Sequence, residues 1–272
     1  MNARRVALAC CFVALAVCGA GSAAHAQDFS PAAGAGPQPG AAALLDRALP
    51  VPGGAWTLEA GATRWFALPE LETRALAMAV ARRSVSAAAG LSQTGDPTFG
   101  WSAAAFALGS AGESGGMALR VAARHERRDG ALSASSFARS GGLEAGAGAW
   151  LSLGGAWRAW ASAPHVYVRG EAPPLARPLQ LGVVARTEDG AAWLAVEAPR
   201  AGADGARLLG GELGAGPFTL WAEARDGPWR ASLGLSAARG PFAVRARVDA
   251  HPDLPETTRL YVSLARPSRS AP

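Results

Sequence analysis

Gly112-Glu113-Ser114-Gly115-Gly116 is the stretch whose residue types come nearest to catalysis, because it matches the G-x-S-x-G spacing of a serine nucleophile on a sharp turn. That turn requires a strand running into a helix, and the serine requires a histidine within reach as general base. Ser114 instead lies between two stretches of strand character. Beyond residue 26 the histidines are His125, His165 and His251, each standing alone, with Asp249 and His251 able to complete a Ser, Asp, His order downstream. A glycine-rich hairpin loop accounts for the match in a chain with 34 Gly, so no catalytic residue is assigned. A hydrolase acting through Ser114 stays as one alternative.

Metal and cofactor chemistry finds still less support. No H-x-x-x-H or H-E-x-x-H pair is present, and the cysteines are confined to Cys10, Cys11 and Cys18. Asp96-Pro97 and the acids from Asp253 to Glu256 lack the alternating ladder of a calcium loop. There is no Lys anywhere, hence no phosphate-binding loop of the G-x-x-x-x-G-K type. The sequence assigns neither a metal nor a cofactor.

The charges that remain are ordered by position. In 241–250, Phe242, Val244, Ala246, Val248 and Ala250 alternate with Ala243, Arg245, Arg247 and Asp249, which gives a strand one apolar and one charged face. The same rule sets Arg120, Arg124 and Glu126 against Leu119, Val121 and Ala123. It sets Glu223 and Arg225 against Leu220, Ala222 and Ala224, and Arg230 against Ala231 and Leu233. These nine, Arg120, Arg124, Glu126, Glu223, Arg225, Arg230, Arg245, Arg247 and Asp249, are the candidate lining of an interior channel, and their Arg excess favours anions.

Strands of this kind recur every ten to sixteen residues between Gly, Pro and Asp clusters, including Asp129-Gly130, Asp189-Gly190 and Asp226-Gly227. Strong examples cover 117–127, 179–186, 218–225, 229–237 and 241–250, with Leu260, Val262 and Leu264 marking the last. Weaker ones cover 56–68, 74–82, 85–93, 99–108, 143–153, 157–168, 191–198 and 207–214. The count is about 12–14.

Whether the apolar face points into a soluble core or out to lipid follows from three features. The strands run about ten residues, the tilted span of a bilayer. Their polar faces mix charge with Gly, Ser and Ala, as a narrow lumen requires. Nine Trp against two Tyr fall near strand ends, where an aromatic girdle would sit. The fold class expected is all-β, an antiparallel up-and-down transmembrane β-barrel; a soluble β-sandwich is the alternative.

The ends of the chain address its destination. Arg4 and Arg5, the apolar run from Val6 to Val17, and Ala24-His25-Ala26 compose a signal peptide over 1–26, cleaved before Gln27. Cys18, after Leu15-Ala16-Val17, is an alternative site for lipidation. Residues 27–55, rich in Pro, Ala and Gly, read as a linker or lumen arm, with Ala41 to Leu49 apolar enough for a turn or two of helix. The barrel occupies 56–267 and a polar tail 268–272. After residue 26 the formal charge is +3, from 24 Arg and 21 acids, and no Arg-rich run with interleaved aromatics appears, which argues against a nucleic-acid partner.

From Trp56 to Pro267 the chain resembles bacterial outer-membrane β-barrel proteins in strand length, alternation and Trp placement. It has a faint similarity to the long-chain-fatty-acid-transporter-like barrels, which have fourteen strands and an N-terminal segment in the lumen, as residues 27–55 would be. The resemblance implies an outer-membrane location, lipid around the wall, and a pore, transporter or scaffold for a small solute rather than an enzyme. It departs at the end: such barrels commonly finish on an aromatic residue, whereas Leu260-Tyr261-Val262-Ser263-Leu264 runs into Ala265-Arg266-Pro267. A secreted periplasmic binding protein remains the alternative function. Expression with the complete leader should yield a product whose intact mass begins at Gln27 and which carries no titratable thiol; a mass starting at Cys18 with added lipid would refute the cleavage site.

Overall fold

The computed structural model describes residues 40–49, 56–96, 99–128, 141–170, 179–198, 205–226 and 229–266. The leader with Cys18, most of the 27–55 arm, the Asp129-Gly130 turn and the polar tail lie outside these. The described chain holds one short helix, α1 (Ala41–Arg47), and fourteen strands. These are β1 (Trp56–Arg64), β2 (Glu72–Arg82), β3 (Val85–Gly95), β4 (Phe99–Ala111), β5 (Gly115–Arg128), β6 (Gly141–Gly154) and β7 (Trp157–Gly170), then β8 (Gln180–Arg186), β9 (Gly190–Glu197), β10 (Ala206–Ala215), β11 (Phe218–Arg225), β12 (Arg230–Arg239), β13 (Phe242–Ala250) and β14 (Thr257–Arg266). Each pairs antiparallel with its sequence neighbour, and β1 pairs with β14 from Trp56 opposite Arg266 to Arg64 opposite Thr258, so the sheet closes into an up-and-down barrel. Closure removes both sheet edges and satisfies every ladder within the protein.

The period of two decides which way each side chain faces. In β2, Thr73, Ala75, Ala77, Ala79 and Ala81 are buried in the interior, while Arg74, Leu76, Met78, Val80 and Arg82 are exposed on the outer wall. Most strands repeat the division. Large apolar residues therefore cover the outside, from Leu91 at 61% exposed through Leu119 at 60% and Leu209 at 63% to Leu260 at 54%. Small and charged residues, with a few aromatic rings, fill the inside. This is the reverse of a water-soluble core, and in water a continuous apolar wall of this kind would drive association.

Connections differ at the two ends. At one end the hairpins are tight, with loops 83–84, 112–114, 155–156, 187–189, 216–217 and 240–241; at the other the loops 65–71, 129–140, 171–179 and 198–205 are long. The start of β1 and the end of β14 both lie at the tight end. In the four two-residue turns the first loop residue is left-handed, at Gly155, Gly216, Gly240 and Arg83. A left-handed conformation strains a residue with a Cβ, and only Arg83 bears that strain.

Two details differ from the reading of the sequence. The first strand ends at Arg64 rather than Leu68, because Phe66 and Ala67 turn left-handed and the chain passes through two single-turn 3-10 segments, Trp65–Ala67 and Pro69–Leu71. The nine Trp do not all form a girdle. Trp56, Trp157 and Trp229 are exposed near strand ends, but Trp160, Trp193 and Trp221 are buried inside. Arg83→Gly should stabilise the refolded barrel by about 1 kcal/mol, measured as a higher urea midpoint; an unchanged midpoint would mean the turn relaxes its strain elsewhere.

Candidate functional site

The interior is the one place where the described residues concentrate charge, and three groups of side chains shape it. The first is α1, which lies inside the barrel against β1 through β7. Leu44 and Leu45, fully buried, pack into a wall of small residues that includes Ala77, Ala79, Ala88, Ala105 and Ala107; burial of each leucine contributes roughly 1.5–3 kcal/mol. The Glu59 carboxylate accepts a 3.1 Å hydrogen bond from the Ala41 amide and another from the Tyr261 hydroxyl, which fixes the positive end of α1 to β1. At the other end the Ser162 hydroxyl donates to the Arg47 carbonyl at 2.7 Å. Gly148 makes that docking possible, since a Cβ there would stand 2.6 and 2.7 Å from the Arg47 and Ala48 carbonyl oxygens. The helix thus crosses the lumen from β1 to β6 and β7.

The second group fills part of the opposite side. Trp160, Trp193 and Trp221 lie flat against Gly182, Gly210 and Gly234, their direct partners on the next strand. A Cβ at any of the three glycines would come within 2.1–2.8 Å of indole ring atoms. Leu49, after α1, joins this cluster, and the Arg47 guanidinium stands 5.9 Å over the Trp160 ring.

The third group is the charged lining. All nine charged residues singled out in the sequence take the inward register, and the structure sorts them into separate places. Arg120 and Arg124 meet Glu144 at 3.5 and 2.7 Å, and His165 Nδ1 lies 3.0 Å from the same carboxylate. This cluster is built on a bulge in which β7 carries extra residues opposite Gly146. The Pro164 carbonyl accepts a 2.7 Å hydrogen bond from Arg120, and Gly146 leaves room for it, since a Cβ would lie 2.3 Å from that oxygen. Glu126, further along β5, is half-buried toward the long-loop end.

Glu223, Arg225, Arg230, Arg247 and Asp249 gather on β11 to β13, near the long-loop mouth. Arg247 bonds Asp249 and the Ser232 hydroxyl and approaches Glu223 at 3.5 Å. Arg259 donates to Asp249 at 2.8 Å, Arg225 to Glu197 at 2.6 Å, and Trp193 Nε1 to Glu223 at 3.1 Å. Arg245 lies apart, half-buried toward the middle of β13. Beyond β13, burial and the neighbouring Arg230 hold the His251 imidazole below its ordinary pKa, so it is neutral at pH 7.

Sequence reasoning missed Glu59, Glu144, His165, Glu197, Arg259 and the helix residues Asp46 and Arg47. The alternation places Glu59, Glu197 and Arg259 on the inward face once strand bounds are known. His165 gave no such signal, because the bulge breaks the alternation at that point. Ser114 lies in the tight turn between β4 and β5, whereas His125 is near the far end of β5, roughly 36 Å along the strand at about 3.3 Å per residue. His251 also lies beyond the long-loop end of β13, so the arrangement required of a serine hydrolase is not assembled. Among the described residues no group of three or more His, Cys, Asp or Glu converges as a metal site would require.

No protein-family model matches the chain, and no curated protein matches it. Among solved structures, it is similar to a triple mutant of the Rhodopseudomonas blastica porin, with a TM-score of 0.41 and 11% identity over 78% of this chain and 98% of that one. A double mutant of the same porin gives a TM-score of 0.40 and 11% identity over the same shares. The chain itself folds as a closed, fourteen-stranded, all-antiparallel barrel. Glu144→Gln should cost roughly 3–5 kcal/mol, because Arg120 and Arg124 would lose the carboxylate they share in the buried bulge; chemical unfolding followed by Trp fluorescence measures it, and a loss under about 1 kcal/mol would mean that solvent reaches the cluster.

Proposed function

We propose that this chain is a non-catalytic outer-membrane barrel that passes small polar solutes through a lumen narrowed by α1. The observation that carries the reading is the inversion of the wall, with large apolar side chains exposed around the outside and charge gathered within. Lipid is the solvent in which that outer surface is stable and in which a closed sheet leaves no backbone group unpaired. In this reading the tight turns and both barrel termini face the periplasm, and the long loops face outward. The 27–55 segment is a lumen arm of which α1 is the inner part.

Fourteen strands enclose more space than an eight-stranded barrel, which side chains alone can fill, and less than the about 16 to 18 strands of an open aqueous porin. Here α1 occupies the β1 to β7 side, and solutes pass along the charged lining of β8 to β14. That lining mixes sign, with Glu197, Glu223 and Asp249 among Arg225, Arg230, Arg247 and Arg259, so the small Arg excess favours anions only weakly and exclusion is chiefly by size.

Expression with the leader in a Gram-negative host, membrane fractionation and gel mobility with and without heating test the location; recovery in the soluble periplasm would overturn it. Conductance in planar bilayers tests the lumen. Leu44→Asp places a charge in the alanine wall, where burial without a partner is unfavourable, and should release α1. The variant is expected to keep its heat-dependent mobility and to conduct several-fold more per channel than the parent. Equal conductance in a folded variant would mean that α1 does not limit the path.

A further inference from the structure

The long-loop mouth contains an arrangement that the protein itself leaves unbalanced. Arg225 and Arg230 are direct partners across the β11–β12 ladder, and Arg247 and Arg259 across the β13–β14 ladder, all four in the inward register. Side chains in such positions have Cβ atoms about 5 Å apart, and like charges placed there repel. Three of these guanidinium groups are compensated. Arg225 is bound to Glu197 at 2.6 Å, Arg259 to Asp249 at 2.8 Å, and Arg247 to both Asp249 and Glu223.

Arg230 is the exception. Its Nε is buried without an acceptor, and the carboxylates whose charge reaches it, Asp249 and Glu197, are each hydrogen-bonded to another arginine. Its position permits no easy retreat, since Arg230 opens β12 with its neighbours Trp229 and Ala231 in the opposite, outward register. On its other side His251, just past the end of β13, brings a neutral ring rather than a counter-charge. Each nearby carboxylate is engaged by a different arginine. A half-buried guanidinium facing another across a ladder, with a donor already stripped of water, is stabilised by an anion from outside.

We propose that Arg230, with Arg225 opposite, forms a binding site for the oxyanion group of a small solute, a carboxylate or a phosphate, at the outer mouth of the barrel. The planar fork of a guanidinium matches two oxygens of either group, and charge-assisted hydrogen bonds of this kind are about twice as strong as neutral ones. The site rests on the reading of the lumen as open to solutes at its long-loop end, but binding there does not require that the solute pass through.

The test uses the full mature chain refolded in detergent and titrated calorimetrically with inorganic phosphate, with acetate, and with tetramethylammonium chloride as a cationic control, at fixed ionic strength. Saturable binding of phosphate, of acetate or of both is expected, with none of the cation. Which anion binds tells which oxyanion class the mouth takes. Arg230→Gln should weaken binding at least about tenfold, and Arg230→Lys, which keeps the charge and loses the fork, should fall between. Arg239→Gln, at the tight-turn end of the same strand, should leave affinity unchanged. Heat-dependent mobility of each variant checks that it has folded. No saturable anion binding by the folded parent, or equal affinity in Arg230→Gln, would overturn the site. Conductance read in parallel separates the two ideas: binding without conduction keeps the site and removes the pore, and conduction without binding does the reverse.

Discussion

The β1–β14 ladder is the interaction on which the remainder of the structure depends. It joins Trp56 to Arg266 and Arg64 to Thr258, and without it thirteen other ladders would form an open ribbon with two unpaired edges and no inside. Once the ring is closed, facing is fixed for every residue: one parity of each strand is enclosed and the other is left on the wall. An outer surface bearing Leu209 and Leu213 and an inner one bearing Glu144 and Asp249 are two results of the same closure. The cost of enclosing charge is then offset locally, acid by arginine.

Closure also sets a problem of volume. Fourteen strands enclose a space wider than inward side chains of ordinary size can span, and this chain fills it unequally. Along β2 to β4 the inward positions are mostly small, Ala, Ser, Thr and Gly, and the bulk comes from Leu44 and Leu45 of a separate helix. Along β7 to β12 the bulk comes from the wall itself, in three indoles laid against glycines. Alanine on one side and the Trp and Gly pairs on the other are therefore complementary solutions. Each fails without its partner, since the alanines need the helix and the indoles need the glycines.

Much of this was legible in the sequence because a strand reports its facing through a period of two. Pro241 to Ala250 separates charged from apolar residues so cleanly that alternation alone assigns Arg245, Arg247 and Asp249 to one face, while the inward direction of that face rests on strand length, small polar-face residues and Trp placement. The strand count was readable for the same reason. What could not be read was anything that depends on which strands neighbour one another, or on a break in the period. Arg230 reads as one lining arginine among several until its partner across the ladder proves to be Arg225. His165 lies in a bulge that interrupts alternation. Trp221 shares its face with Glu223, Trp193 with Glu197 and Trp160 with Ser162, which hints at the interior, but the cross-strand register that lays each indole against a glycine is not read from one strand alone.

The helix precedes β1 in the chain, with only residues 50–55 between Leu49 of the lumen cluster and Trp56 at the tight-turn end. Its place inside a ring sealed by its own neighbouring strand carries a consequence for the order of assembly. The β1–β14 seam joins residues some two hundred positions apart and is slow to form, since loop-closure entropy opposes it. The anchor at Glu59, by contrast, is a local contact between residues 18 positions apart. Nucleation of the helix against β1 can therefore come early and sealing of the cylinder late, so that the chain carries its inner helix to the last gap and closes the wall around it without threading.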